Sequence, residues 1–114
     1  MKEVYKPDLK VGDVVYVPHN IRFTRFTYYT KETITRITPK KTKIVTDKHE
    51  YDRYTSFYLE DDELLRKDEV ARAYMKTVNV RMLINTGRFV DLDDKSLIEI
   101  SEHMKAIEKI LMEV

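Results

Sequence analysis

The chain has 114 residues, 21 Lys and Arg against 20 Asp and Glu, a net charge of +1 and no cysteine. A chain of this length fills one modest core, so a single domain over 1–114 is expected, and the lack of Cys excludes a disulfide scaffold, a zinc ribbon, an iron–sulfur centre and a thiol nucleophile. The longest apolar runs, such as Val14-Val15-Tyr16-Val17, fall far short of a membrane span, and Met1–Lys6 has no apolar leader segment; a cytoplasmic protein is expected.

The near-zero net charge conceals two unlike halves. Residues 1–58 carry 12 Lys/Arg against 7 Asp/Glu, a net +5, whereas residues 59–114 carry 9 against 13, a net −4. The first half also holds all three prolines and ten of the twelve aromatic residues, while the second is rich in Leu, Glu, Asp and Met. Thr, Tyr, Phe, Val and Ile suit a pleated surface, and Leu, Glu, Lys and Met suit helices. The expected class is α+β: a small SH3-like β-barrel over 1–59, followed by two C-terminal helices over 60–114.

In chain order, Gly12-Asp13 is a turn signal and Val14–Val17 a strand, which Pro18 is expected to end because it lacks an N–H. A polar, aromatic connection runs from His19 to Tyr29. Lys31–Thr38 reads as the second strand, with a bulge or strong twist where Ile34 and Ile37 break strict alternation. Pro39-Lys40-Lys41 is a turn, Thr42–Thr46 a strand and Asp47-Lys48-His49 a further turn; Glu50–Tyr54 and Phe57–Leu59 complete the set.

Glu60-Asp61-Asp62-Glu63 opens the first helix, where acidic side chains complement the helix dipole. Leu64, Leu65, Val70, Ala73, Tyr74, Val78, Met82 and Leu83 are its expected apolar face. Asn85-Thr86-Gly87 stops it, with Gly87 suited to a left-handed cap, and Asp91 or Asp93 can cap the second helix. There, Leu97, Ile100, Met104, Ile107, Leu111 and Val114 follow 3-4-3-4-3 spacing and form one stripe. The expected role of the stripe is packing against the barrel and the first helix. Its alternative is a weak homodimer seam through Leu97, Ile100, Met104, Ile107 and Leu111, widened by Ile98, Ile110 and Met112.

Reactive constellations are thin. Two glycines build neither a phosphate cradle nor a dinucleotide fingerprint, and Ser56, Ser96 and Ser101 lie in no nucleophile elbow. Glu99 and His103 share a helix face but supply two ligands where a closed metal site needs about four. Asp47, His49 and Asp52 read as turn residues, and Asp91–Asp94 lacks the glycine and the closing glutamate of a calcium loop. No enzymatic activity, metal or cofactor is expected.

The segment Ile21–Lys31 interleaves cations with rings and contains no acid. Arg22, Phe23, Arg25, Phe26, Tyr28, Tyr29 and Lys31, joined by Lys40, Lys41 and Lys43 of the next turn, are the expected partner-binding residues. Such a surface neutralises phosphates and stacks bases, and it equally anchors a protein interface. The opposing expectation is that part of the rings fill the barrel.

The run Leu9-Lys10-Val11-Gly12-Asp13-Val14-Val15-Tyr16-Val17, the Arg- and Tyr-bearing connection, Thr33-Ile34-Thr35-Arg36-Ile37 and Tyr58-Leu59 resemble small bacteriophage β-barrel accessory proteins with a KOW/SH3-like start. The tail is similar too, with Leu92-Asp93-Asp94-Lys95-Ser96-Leu97 opening a final helix. In place of the usual KOW glycine after the second strand stands Pro39-Lys40. The resemblance implies a host-takeover protein working in the host cytoplasm. The expectation is a non-enzymatic protein that inhibits or redirects a host protein or protein–nucleic-acid complex, in defence or nucleic-acid processing, by occlusion. Its alternative is a barrel that binds DNA or RNA directly.

Overall fold

A computed structural model describes residues 1–114. Six strands, β1 (Lys2–Glu3), β2 (Val14–Asn20), β3 (Thr27–Ile37), β4 (Lys43–Thr46), β5 (Glu50–Asp52) and β6 (Tyr58–Leu59), precede two helices, α1 (Asp62–Thr86) and α2 (Asp94–Met112). Short 3₁₀ turns lie at Lys6–Asp8 and Phe89–Asp91. The chain forms two compact units, Met1–Val78 and Asn79–Val114, whose boundary falls inside α1 rather than at the β-to-α switch.

The first unit is α+β, but its sheet is open. All pairings are antiparallel in the order β1-β6-β2-β3-β4-β5, and β1 and β5 do not meet. The closed SH3-like barrel expected from the turn spacing is therefore corrected to an open six-stranded sheet. The edges are too short to close it. β1 has two residues and β5 three, and after β5 the chain turns away as Tyr54 N–H donates to Asp52 Oδ1 at 2.8 Å.

Both faces of the sheet are covered, which is why Val14–Val17 reads as a continuous apolar run instead of an alternation. On one face Val15 and Val17 pack with Leu9, Ile34, Ile44 and Phe57. On the other, Tyr16 and Tyr29 pack with Leu64 of α1, and Tyr58 lies against them. The expected bulge is present: Ile34 pairs with Thr46 and Arg36 with Val45, leaving Thr35 as the extra residue on β3.

Pro18 does not end its strand. It lies opposite Tyr29 in the β2–β3 ladder, and the Tyr29 N–H donates to Asp68 Oδ1 at 2.7 Å instead of crossing to β2. The proline's missing donor thus faces away from β3, and β6 reaches β2 only at Tyr16–Tyr58. No ladder bond is lost, so the hairpin runs three residues further than expected, to Asn20.

Asp61 caps α1, accepting from Leu64 N–H at 2.8 Å. The buried residues of the helix are Leu64 and Ala71, seven apart. Leu65, Ala73, Met82 and Leu83, expected on its apolar face, are exposed. The buried stripe was hidden because Asp68 sits between its two apolar members and is satisfied by backbone rather than solvent.

In the second unit, Asp93 caps α2, accepting from Ser96 N–H at 2.7 Å, while Asp91 pairs with Arg88 at 2.9 Å. Gly12 is the chain's left-handed glycine, at φ 95°; Gly87 is not left-handed. Glycine is required there by space, since a Cβ would lie 2.8 Å from the Leu83 carbonyl oxygen. α2 buries none of its residues, in contrast to the expected packing of its stripe into a core.

Candidate interaction surface

The connection between β2 and β3 is a built loop. Ile21 N–H donates to Phe26 O at 2.9 Å and Thr24 N–H to Ile21 O at 3.0 Å. The Thr24 hydroxyl donates to Ile21 O at 2.7 Å and accepts from Phe26 N–H at 3.1 Å. These bonds leave Phe23 at the tip with φ 63°, a left-handed backbone that a bulky side chain disfavours. Its ring is 92% exposed, and the Arg22 guanidinium lies 4.9 Å from the ring centre.

Behind the tip, the Arg25 guanidinium lies 4.2 Å over the Phe26 ring, which stacks on Tyr74 of α1 with centres 4.5 Å apart. This three-layer stack fixes the root of the hairpin against the helix. Beside it, Arg25, Phe26, Thr27, Tyr29, Arg66, Lys67 and Val70 line a shallow groove of about 260 Å³. Arg66 is 3.4 Å from Glu69 and Lys67 is 3.5 Å from Glu63, both solvent-exposed pairs. Such pairs hold their cations weakly, so the groove offers three cations and an aromatic wall to an anionic group.

The expected contact residues do not gather in one place. Arg22, Phe23, Arg25 and Phe26 belong to the tip and its root. Tyr28 is half-buried and stacks on His19 with centres 4.9 Å apart. Tyr29 is core, edge-on to Tyr58 at 6.1 Å, and burial pushes its phenol above the usual value. Lys31 is exposed on β3 opposite Tyr16.

Lys40, Lys41 and Lys43 lie past the other end of β3, which has eleven residues, a run on the order of 30 Å at strand rise. Lys41 is left-handed at φ 53° and donates to Pro7 O at 2.6 Å, tying the turn to the N-terminal segment. Lys43 pairs with Glu50 at 3.5 Å. Only Lys40 of the three is without a partner here.

Arg66, Lys67 and Arg72 were missed by reading the helical half as one acidic block, and Tyr74, expected only on the apolar face of α1, stacks on Phe26. A local count finds the cations: residues 64–86 carry Arg66, Lys67, Arg72, Lys76 and Arg81 against Asp68 and Glu69, a net +3. Apart from Asp68 and Glu69, the acid lies in the Glu60–Glu63 start and from Asp91 onward.

A second polar assembly lies inside the sheet. Glu32 is 1% exposed, yet has no cation beside it. Its carboxylate accepts from Thr46 Oγ1 at 2.5 Å, from Tyr51 OH at 2.9 Å and from the Thr30 hydroxyl. Burial pushes the Glu32 carboxyl up, but the three hydroxyl donors outweigh it and hold the group below its ordinary range. Thr30 has one proton and gives it to Glu32, so the 2.7 Å contact between His19 Nε2 and Thr30 Oγ1 requires His19 to donate. Burial lowers the His19 pKa, in keeping with that neutral Nε2–H form. Sealed from solvent, Glu32 meets no substrate; it is a structural charge.

The carboxylates near the β4–β5 turn are occupied as well. Asp47 Oδ1 accepts from Thr33 N–H at 2.9 Å, and Asp52 from Tyr54 N–H. Compared with protein-family models, curated proteins and solved structures, the chain matches none.

Proposed function

We propose that this chain is a non-enzymatic binding protein that docks on a protein partner through the tip of its β2–β3 hairpin and acts by occlusion. On the phage-type reading the partner is a host protein, or a protein–nucleic-acid complex of defence or nucleic-acid processing. The observation that carries the proposal is Phe23: a ring 92% exposed, on a left-handed backbone, next to an arginine. Neither core packing nor turn geometry asks for a large ring there, and an aromatic flanked by arginine is the usual composition of an interface anchor.

The groove of Arg25, Arg66 and Lys67 favours a second reading, direct binding of DNA or RNA with Phe23 stacking on a base. Salt separates the two. A nucleic-acid complex using six phosphate contacts loses roughly a thousandfold in affinity or more between 50 and 200 mM salt. Anisotropy of a labelled generic oligonucleotide at both salts, with Arg22, Arg25 and Arg66 changed to Glu in parallel, makes the comparison. On the leading reading even the low-salt titration stays flat. Tight low-salt binding that collapses with salt and with the substitutions would establish the second reading.

A further inference from the structure

We propose that the first unit carries a second docking surface, past the end of β3 remote from the hairpin tip, and that its occupant is an acidic peptide segment of a protein partner bearing one apolar residue. Three segments meet there: Tyr5–Pro7 after β1, the Lys40-Lys41 turn between β3 and β4, and Arg53-Tyr54 between β5 and β6. Side chains join them. Lys41 Nζ donates to Pro7 O at 2.6 Å, and Lys6 Nζ donates to Arg53 O. The Arg53 guanidinium donates to Tyr54 OH at 2.8 Å and lies 5.0 Å from the centre of that ring.

Each of these partners is an uncharged oxygen. Lys6, Lys41 and Arg53 enter no ion pair, so each cation is held in position with its charge uncompensated. In the groove beside the hairpin, by contrast, Arg66 and Lys67 already hold Glu69 and Glu63. A cation ordered beforehand, with no carboxylate to give up, spends less on meeting an incoming one. Lys41 also stands at a left-handed position, φ 53°, where the backbone favours Gly or Asn. Asp8 and Asp52 lie on the same segments, and Asp52 Oδ1 is engaged by Tyr54 N–H at 2.8 Å. With Lys40, four cations face two acids, a net +2.

The rest of the surface is apolar and aromatic. Val4 N–H donates to Phe57 O at 2.7 Å and Val4 packs on the core. Tyr5, the next residue, is 71% exposed, and Tyr54 is 76% exposed. Glu3, Val4, Tyr5, Lys6 and Pro7 line an open depression of about 500 Å³, a seat for an apolar side chain beside the cations. Tyr and Arg are the usual anchors of a protein interface. Nucleic acid fits less well: it needs free ring faces and an unbroken track of cations, whereas Arg53 already lies over Tyr54 and Asp8 and Asp52 interrupt the track.

A heteronuclear NMR titration of the full chain with the peptide Glu-Asp-Phe-Glu-Asp tests this. The amides of Lys6, Lys41, Arg53 and Tyr54 should shift while that of Phe23 does not. Arg53→Glu should raise the Kd about 10-fold or more. Its side chain touches only Tyr54, and Lys6 bonds to the main chain of Arg53, so the fold is retained. Lys41→Gln, which keeps a donor and removes the charge, should weaken binding in the same direction. The peptide Lys-Lys-Phe-Lys-Lys and an oligothymidylate should produce no shifts at these amides. Absence of shifts with the acidic peptide, equal shifts with the basic one, or a Kd indifferent to Arg53→Glu overturns the proposal. Oligothymidylate shifts at these amides that vanish in Arg53→Glu would show phosphate recognition and overturn it as well.

Discussion

At Phe23 two independent features coincide, an unfavourable backbone and an unsheltered ring. A left-handed residue with a large side chain costs roughly 1–2 kcal/mol, and glycine removes that strain at an unfolded-state entropy cost of about 0.5–1 kcal/mol. Phe23→Gly is therefore expected to leave the melting temperature unchanged or slightly raised while it abolishes partner binding. A fall equivalent to 2 kcal/mol or more in thermal unfolding would mean that the ring serves the fold.

Glu32 and His19 set the acid side of stability. Both have folded pKa values below their ordinary ones, so each contributes stability above its unfolded pKa and loses it as pH falls. His19 acts below about pH 6.5 and Glu32 below about pH 4.5. Stability of the wild type should decline through both windows, and Glu32→Gln should flatten the lower one. Glu32→Ala, which orphans three hydroxyl donors, should cost about 2–4 kcal/mol at pH 7. Urea unfolding across pH 3–8 reads all three; an unchanged slope in Glu32→Gln would contradict the assignment. Tyr16 works at the opposite end. Its hydroxyl donates to Glu60 Oε1 at 2.5 Å and its pKa is pushed up to about 12, so its contribution is lost only as pH rises beyond 10.

The hairpin and α1 hold each other through backbone as well as rings. Tyr29 N–H donates to Asp68, and its carbonyl accepts from the Arg72 guanidinium at 2.8 Å. One helix thereby satisfies both polar groups on the open side of β3, the edge that β4 leaves unpaired before the bulge. Asp68→Ala should destabilise the first unit by about 1–2 kcal/mol and raise the hydrogen-exchange rate of the Tyr29 amide specifically; unaltered exchange there would refute the contact.

At this scale the sequence was partly legible. Gly12-Asp13, the irregularity between Ile34 and Ile37, the acidic start of α1, the cap of α2 at Asp91 or Asp93 and the long stripe of α2 were all readable, because each is a local signal of spacing or capping. Pro18 misled, since the direction its missing N–H faces depends on register. Barrel closure misled too, because it depends on edge length rather than on the number of strands. The groove stayed hidden for a different reason: averaging charge over 59–114 cancelled the basic turns of α1 against the acids at its start and in the tail.

For the whole molecule, the division into a cationic sheet and an anionic helical cover gives way to a different partition. Residues 1–78 carry 16 Lys/Arg against 13 Asp/Glu, a net +3, and residues 79–114 carry 5 against 7, a net −2. The first unit holds the folded core and the hairpin tip, and the second holds an apolar helix stripe.

The tip remains the decisive feature. Immobilised wild-type chain, Phe23→Gly and Lys40→Glu are exposed to bacterial host lysate with and without nuclease, and the retained proteins are quantified. A defined partner should survive nuclease on the wild type and on Lys40→Glu, at the far end of β3, and disappear from Phe23→Gly. Equal retention on Phe23→Gly would contradict docking through the hairpin tip, and loss of the partner on nuclease treatment would contradict a protein partner there.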